Sequence, residues 1–321
     1  MKGCVLGGKR AVVTGSTRGL GFAFARELTE QGASVVINGR DARACAEAEA
    51  QLAADGAAVA SVPGSVADEQ VAEQLIATCV DRFGGVDLLV NNAGITRDRT
   101  LLKMSAEDFD EVVAVHLRGA WAASRSAARA MRAAGGSIVN VVSGSALYGL
   151  VGQCNYAAAK GGMLALTRAL SLELRRYQIR VNAVYPTALT DMTRPLLELA
   201  APGALDSWFR PPQDVAPLVA FLASDQSAQI TGQVLAFDGR ELTVWSHPEP
   251  VSTVRRDGPW NSDDMAAALS GEIGPLAPLH PDQLGRHVHQ ALEPRARVAP
   301  GRSPGQRGEE HRGAETGEVL G

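Results

Sequence analysis

Between residues 10 and about 238, apolar runs of strand length alternate with alanine-rich helical stretches, and this alternation constrains the fold more than any other feature. Near-continuous apolar runs suit strands buried on both faces, because helical crossovers cover each side of a parallel sheet. The runs lie at 10–14, 34–38, 58–62, 87–91, 137–143, 180–185 and 233–237, with helical stretches near 19–31, 42–54, 68–83, 106–134, 155–177 and 213–223. The spacing predicts an α/β fold, a doubly wound, seven-stranded parallel sheet flanked by helices on both faces. Residues 1–240 are expected to form this single domain. Residues 241–293, with Trp245 and Trp260 among polar turns, are expected to pack on it as an extension. Residues 294–321 hold three prolines, six glycines, nine charges and no aromatic residue, the composition of a disordered tail.

Composition narrows the function classes. A net charge of −4 gives no basic surface for a polyanion, so no nucleic-acid partner is expected. No run approaches the roughly 18 apolar residues that span a bilayer, and the N-terminal stretch has no hydrophobic signal core, so the reading is a cytoplasmic protein without a membrane partner. Cys4, Cys45, Cys79 and Cys154 form no C-x-x-C pair; they read as small buried apolar residues, and no metal is expected.

The first apolar run leads into Thr14 and then Gly15, Ser16, Thr17, Arg18, Gly19, Leu20 and Gly21, ahead of a helical stretch. Glycines there permit a tight turn and close backbone approach, so that helix N-terminal amides can bind a pyrophosphate. A ligand-free β-α turn is the alternative. After the second run an NAD enzyme places an acidic residue on the ribose hydroxyl, whereas this chain has Asn38-Gly39-Arg40. Arg40, with Arg18, can pair with a 2′-phosphate, which points to NADP(H). The competing reading makes both arginines surface charges and Asp41 either the ribose ligand or a helix cap.

Tyr156 and Lys160 stand four apart on a helical stretch and so share a face, with Ser143 ending the preceding strand 13 residues earlier. A phenol titrates near pH 10, and a neighbouring ammonium favours its anion, so the pair makes a usable general acid. Only four residues of the chain are lysine, against 27 arginines, which makes a lysine at this spacing informative. Ser143, at the carboxyl end of a strand, can hold a substrate oxygen.

The segments TGSTRGLG at 14–21, NNAG at 91–94, Ser143 and YAAAK at 156–160 together resemble the short-chain dehydrogenase/reductases, over roughly residues 5–240. The resemblance implies a Rossmann-type fold and catalytic roles for Ser143, Tyr156 and Lys160, the lysine also lowering the tyrosine pKa. It implies dinucleotide contacts from the glycine turn, from Asn91, Asn92, Ala93 and Gly94, from Tyr156 and Lys160, and from Ser65, Val66, Pro186 and Thr187. Three positions depart from the family pattern: His116 stands for a helix asparagine, Ser65 for an acidic residue, and Thr187 for the glycine after Pro186. An imidazole both donates and accepts, so His116 is expected to hold a relay water and, with a reference pKa of about 6.5, to exchange protons near neutrality. A structural histidine is the alternative.

Within the family, NNAGITRDRTLLKMSAEDF and GQCNYAAAKGGM look like 3-oxoacyl thioester reductases, and VHLRG with PTALTDMT like (3R)-hydroxyacyl-CoA dehydrogenase domains. The implied activity is NADP(H)-dependent reduction of a ketone to a secondary alcohol, or its reverse, on a 3-oxoacyl or polyketide-type substrate carried on acyl carrier protein or CoA. The alternatives are a steroid or sugar alcohol as substrate and a non-catalytic dinucleotide-binding scaffold. Residues 194–212, with Trp208 and Phe209, suit an acyl chain or simply anchor a loop. A homodimer or homotetramer is expected through the stretches 106–134 and 155–177, whose small residues Ala157, Ala158, Gly161 and Gly162 allow close packing.

Overall fold

β-branched and leucine residues, whose side chains pack well on a pleated surface, build a central sheet of eight strands. The computed structural model of the protein describes residues 5–190, 194 and 209–273. The strands are β1 (Arg10–Val13), β2 (Ser34–Gly39), β3 (Val59–Pro63), β4 (Leu88–Asn91), β5 (Gly136–Val141), β6 (Ile179–Pro186), β7 (Val234–Phe237) and β8 (Leu242–Trp245), in the order β3-β2-β1-β4-β5-β6-β7-β8. The first seven pair in parallel, and the order reverses between β1 and β4. In open α/β sheets a ligand crevice opens at that reversal, beyond the carboxyl ends of the strands.

Alternation along each strand divides the core into two layers. Val13, Val35 and Ile37 face α1 (Gly19–Glu30) and α2 (Ala42–Ala53), through Phe24, Leu28, Ala48 and Leu52. Val12 and Val36 face the opposite way, onto α3 (Glu69–Phe83) and α5 (Gly119–Met131), through Leu75, Ile76 and Met131. Among the described residues no helix is long and apolar enough to cross a membrane.

Several expectations are corrected. The long helix expected over 106–134 is α4 (Ala106–Val113), one π-helical turn (Ala114–Arg118) and α5, because an extra residue is accommodated where His116 turns inward. The stretch near 155–177 is α7 (Cys154–Glu173) followed by a 3-10 turn, preceded by the short α6 (Ser145–Tyr148). The stretch near 213–223 divides into α8 (Pro212–Val215) and α9 (Pro217–Ala223), because Pro217 has no amide hydrogen for the helix ladder.

The sheet has eight strands rather than seven and is not wholly parallel, since β8 pairs antiparallel with β7. The boundary expected at residue 240 therefore falls inside a hairpin. Gly239 takes φ +89°, a region costly for other residues, and Asp238 Oδ1 accepts from the Arg240 and Glu241 amides at 2.8 and 2.7 Å. Of the cysteines, Cys45 and Cys79 are buried, but Cys154 is exposed with its Sγ 3.4 Å from Met104 Sδ. The extension continues to a helix, α10 (Ser262–Ser270), closed by a capping box between Asn261 and Asp264. The expected tail 294–321, Cys4 and Trp208 lie outside the described residues; Phe209 is buried.

Trp245 sits partly buried at the end of β8, its ring 6.4 Å from that of Tyr148. Trp245→Ala is expected to cost about 2 kcal/mol and lower the melting temperature by about 4 °C or more. A thermal melt that matched the parent chain would show that β8 contributes nothing to the domain.

Candidate active site

The turn after β1 and the segment after β4 meet where the strand order reverses, and the contact tolerates no side chain. A Cβ on Gly15 would stand 2.6 Å from Ala93 Cα, and Gly15 itself takes φ +62°. A Cβ on Gly21 would collide with the Gly15 carbonyl and the Asn92 amide. The Asn92 side chain donates to the carbonyls of Thr14 and Gly15 at 3.0 and 2.9 Å, while Thr14 Oγ1 accepts from the Asn92 and Ala93 amides, both at 3.0 Å. Asn38, at the end of β2, accepts at Oδ1 from the Gly15 amide and donates from Nδ2 to the carbonyls of Val62 and Gly64. Thr14 and Asn38 thus shape the turn without having been read as site residues; only their place at strand ends hinted at it.

Helix caps differ around this crevice. Asp41 and Asp68 cap α2 and α3 through side-chain bonds, whereas α1 starts at Gly19 with no side-chain cap from Arg18. Free amides at a helix start, beside glycines without side chains, fit a phosphate group. The cap also bears on Asp41 as ribose ligand, because one oxygen of that carboxylate accepts from the Ala44 amide at 2.8 Å. Arg18 and Arg40 are both exposed. Thr17 packs on Gly39, Leu20 packs partly buried on the core, and the Ser65 hydroxyl accepts from the Ala67 amide. Val66 is buried against Gly119 of α5.

Asn91 is a correction. Its side chain is buried between strands and helices, donating to Asn140 Oδ1 at 2.8 Å and Ser124 Oγ at 3.0 Å, and Asn140 in turn donates to Thr167 Oγ1 at 2.9 Å. These bonds tie β4, β5, α5 and α7 together, so Asn91 supports the site rather than touching a ligand in it.

Beyond β5, the Ser143 hydroxyl lies near enough to Tyr156 to favour its phenolate, and the Lys160 ammonium lies 5.7 Å from the Tyr156 ring centre. Lys160 is 2% exposed and donates from Nζ to the Val141 carbonyl at 2.6 Å. Burial pulls its pKa down to about 7. Burial likewise pushes Tyr156 up to about 12, against a smaller downward pull from the neighbouring Ser143 hydroxyl. This differs from the expected lowering by the ammonium: in the protein alone, desolvation of the phenolate outweighs every favourable contact. Pro186 ends β6, and the Thr187 amide donates to the Phe237 carbonyl at 3.0 Å.

His116 also differs from expectation. Burial first, then the charge of Lys160, depress its pKa to about 3, so it does not exchange protons near neutrality. Its Nε2 lies 3.0 Å from the Ile95 amide nitrogen and 2.8 Å from the Ile95 carbonyl oxygen, and its ring meets Tyr156 edge-on at 5.0 Å. A Cβ on Gly94 would strike the imidazole, so glycine is required there. Gln153, unremarked in the sequence, bridges Asp98 and Ser145 at 2.8 and 2.9 Å beside this cluster.

A family profile described as short chain dehydrogenase matches residues 9–199. The chain is 42% identical over 281 residues to a hydroxyacyl-CoA dehydrogenase of Mycobacterium tuberculosis, covering 82% of this chain and 88% of the relative. It is 37% identical over 238 residues to a 3-oxoacyl-acyl-carrier-protein reductase of Synechocystis, covering 71% and 95%. The crystal structure of a short chain dehydrogenase from Mycobacterium avium superposes with a TM-score of 0.77 at 33% identity, covering 86% of this chain and 98% of that one.

A neutral buried histidine affects acid stability with a definite sign. Between about pH 6.5 and 3 the unfolded chain binds a proton at His116 that the folded chain refuses, so this residue makes stability fall as pH falls through that window. His116→Asn, uncharged throughout, is expected to flatten the dependence of melting temperature on pH between 4 and 6.5. Parallel curves for the two proteins would show that His116 titrates normally in the fold.

Proposed function

Since the chain belongs to the short-chain dehydrogenases, oxidoreductases of CH–OH groups, we propose that it interconverts 3-oxoacyl and 3-hydroxyacyl thioesters with NADP(H). The observation that carries the reading is the assembly of Ser143, Tyr156 and Lys160 beside the glycine turn at the carboxyl ends of the strands. The two relatives named for hydroxyacyl-CoA and 3-oxoacyl-acyl-carrier-protein support the substrate class.

The residues fit a nicotinamide dinucleotide, as the close glycine contacts and the uncapped start of α1 attest. Residues 15–21, Asn92, Ala93 and Gly94 would hold it, with Ser65, Val66, Pro186 and Thr187 at its flanks and Tyr156 and Lys160 at the reacting end. When bound, it supplies or takes up the hydride. The exposed Arg18 and Arg40, with Asp41 occupied as a cap, favour the 2′-phosphate form.

Tyr156, with a pKa near 12, carries its proton at neutral pH and so is ready to donate to the more basic alkoxide that forms as a ketone is reduced. Ser143 shares that oxygen by hydrogen bonding. Lys160, titrating near neutrality, is placed to return a proton or charge to the Tyr156 side of the site. His116 acts here as a packed neutral wall against Tyr156. A homodimer or homotetramer in the cytoplasm, with the domain running through β8, completes the reading.

Three measurements test it. Turnover with NADPH should appear across a panel of 3-oxoacyl-CoA thioesters; its absence across the panel would refute the substrate class. Tyr156→Phe should lower kcat at least ~100-fold, within the usual range for general acid catalysis, with NADPH affinity nearly unchanged. Arg40→Asp should move the NADPH-over-NADH preference toward NADH, and an unchanged ratio would remove Arg40 from cofactor selection.

A further inference from the structure

To stabilise the oxygen that Tyr156 protonates, Ser143 has to present its proton to it, and a serine hydroxyl turns freely unless something holds it. What holds it here is the next residue but one: the Ser145 amide donates to Ser143 Oγ at 3.3 Å. That bond occupies a lone pair and leaves the Ser143 proton to be donated elsewhere.

Ser145 opens α6, which is only four residues long. A single turn does not hold itself in water, so the place of the Ser145 amide depends on other contacts. Gly144 is packed against two phenols: a Cβ there would collide with Tyr148 Oη and stand 2.7 Å from Tyr185 Oη. Ser145 itself is held by a polar tie. Its Oγ donates to Gln153 Oε1 at 2.9 Å, and Gln153 Nε2 donates to Asp98 Oδ2 at 2.8 Å.

Chemistry fixes the direction of both bonds. A carboxylate only accepts, so the Gln153 amide turns its nitrogen to Asp98 and its oxygen to Ser145, whose hydroxyl then donates. Gln153 is 6% exposed and Ser145 8%, so little water is at hand to replace a lost partner. The far end of the tie is anchored separately. The Arg99 amide donates to the Gly152 carbonyl at 2.8 Å, Asn155 Nδ2 to the Arg97 carbonyl at 3.1 Å, and the Ala157 amide to the Gln153 carbonyl at 2.7 Å. Asp98 and Gln153 thus give Ser145 a fixed point built from the segment after β4 and the start of α7.

We propose that Gln153 is a positioning residue for Ser143. By tying Ser145 to Asp98 it keeps the Ser145 amide on Ser143 Oγ and the Ser143 proton free for the substrate oxygen. The role needs a side chain that accepts at one atom and donates at the other, which at this length glutamine supplies and ionised glutamate does not. The inference rests on the reading of Ser143 as the residue that holds the substrate oxygen, and not on the thioester.

The test measures kcat and KM for reduction of a 3-oxoacyl-CoA, the dissociation constant of NADPH and the melting temperature. The proteins are the parent chain, Gln153→Glu, Ser145→Ala, Asp98→Asn and the double variant that joins Gln153→Glu to Asp98→Asn. Gln153→Glu sets a second carboxylate against Asp98, and Ser145→Ala keeps the amide but cuts the tie. Each is expected to lower kcat about tenfold, the upper effect of one neutral hydrogen bond, with KM and NADPH affinity within about twofold of the parent. Asp98→Asn still offers an oxygen to Gln153 and should cost less than about threefold. In the double variant the new amide donates to the new carboxylate, which still accepts from Ser145, and kcat should return to within about threefold of the parent. These exchanges of acid and amide are matched in shape, so a role in packing alone gives neither the loss nor the recovery.

A kcat within about twofold of the parent in both Gln153→Glu and Ser145→Ala would overturn the inference, as would a loss carried by KM or by NADPH affinity, or a double variant no faster than Gln153→Glu. Should Gln153→Glu fail to fold, Ser145→Ala decides by the same criterion. A parent chain active on a methyl ketone but on no 3-oxoacyl-CoA would overturn the thioester reading alone, and the variants are then compared on that ketone. A parent inactive on both would overturn the catalytic reading of Ser143 and this inference with it.

Discussion

The approach of the β1 turn to the segment after β4 is the contact on which the site depends. It brings backbone within van der Waals reach of backbone, Gly15 against Ala93, and leaves no room for any Cβ at Gly15 or Gly21. Thr14 and Asn92 then satisfy the amides and carbonyls that so close an approach would otherwise strand. With those groups paired inside the protein, the start of α1 is left as the open amide cluster, and it faces the crevice at the reversal of strand order. Asn38 extends the same scheme to β2 and β3, so one set of short side chains fixes four strand ends.

Burial governs the chemistry next to it. Lys160, His116 and Tyr156 are all shifted toward their uncharged forms, by desolvation before any other cause. The consequence is a site whose titratable groups are neutral or nearly so at pH 7, with one bound proton on Tyr156 and one group, Lys160, titrating near neutrality. Such an arrangement favours moving a proton to a developing charge over binding a charged ligand at the reacting centre. The π-helical turn belongs to this account: it swings His116 inward against Ile95 and Tyr156, where a regular helix would have continued past them.

The extension after residue 240 adds to the sheet instead of merely resting on it. An Asp-Gly turn followed by four residues of strand character, Leu242 to Trp245, was the available signal, yet it lies after the main alternation ends, where a single short strand is hard to separate from loop. Its effect reaches the site because Trp245 meets Tyr148, and Tyr148 meets Tyr185.

The alternation of apolar runs with helical stretches pointed by itself to the parallel doubly wound sheet, since strands buried on both faces read as near-continuous apolar runs. The spacing of Tyr156 and Lys160 likewise followed from helical periodicity, and the glycine turn from the conformations only glycine takes easily. Local rules carry that far because each acts within a few residues. What they do not carry is the environment of a side chain, which is set by elements distant in the chain. Asn91 read as a ligand contact beside Asn92, and only the packing of α5 and β5 onto β4 turned it into a buried brace. The tyrosine pKa read as lowered, and only the enclosure of Tyr156 reversed the sign. His116 read as a titrating relay, and enclosure with Lys160 made it neutral. Periodicity is a property of neighbours in sequence, whereas desolvation sums over everything that excludes water, and that sum exists only once the chain has folded.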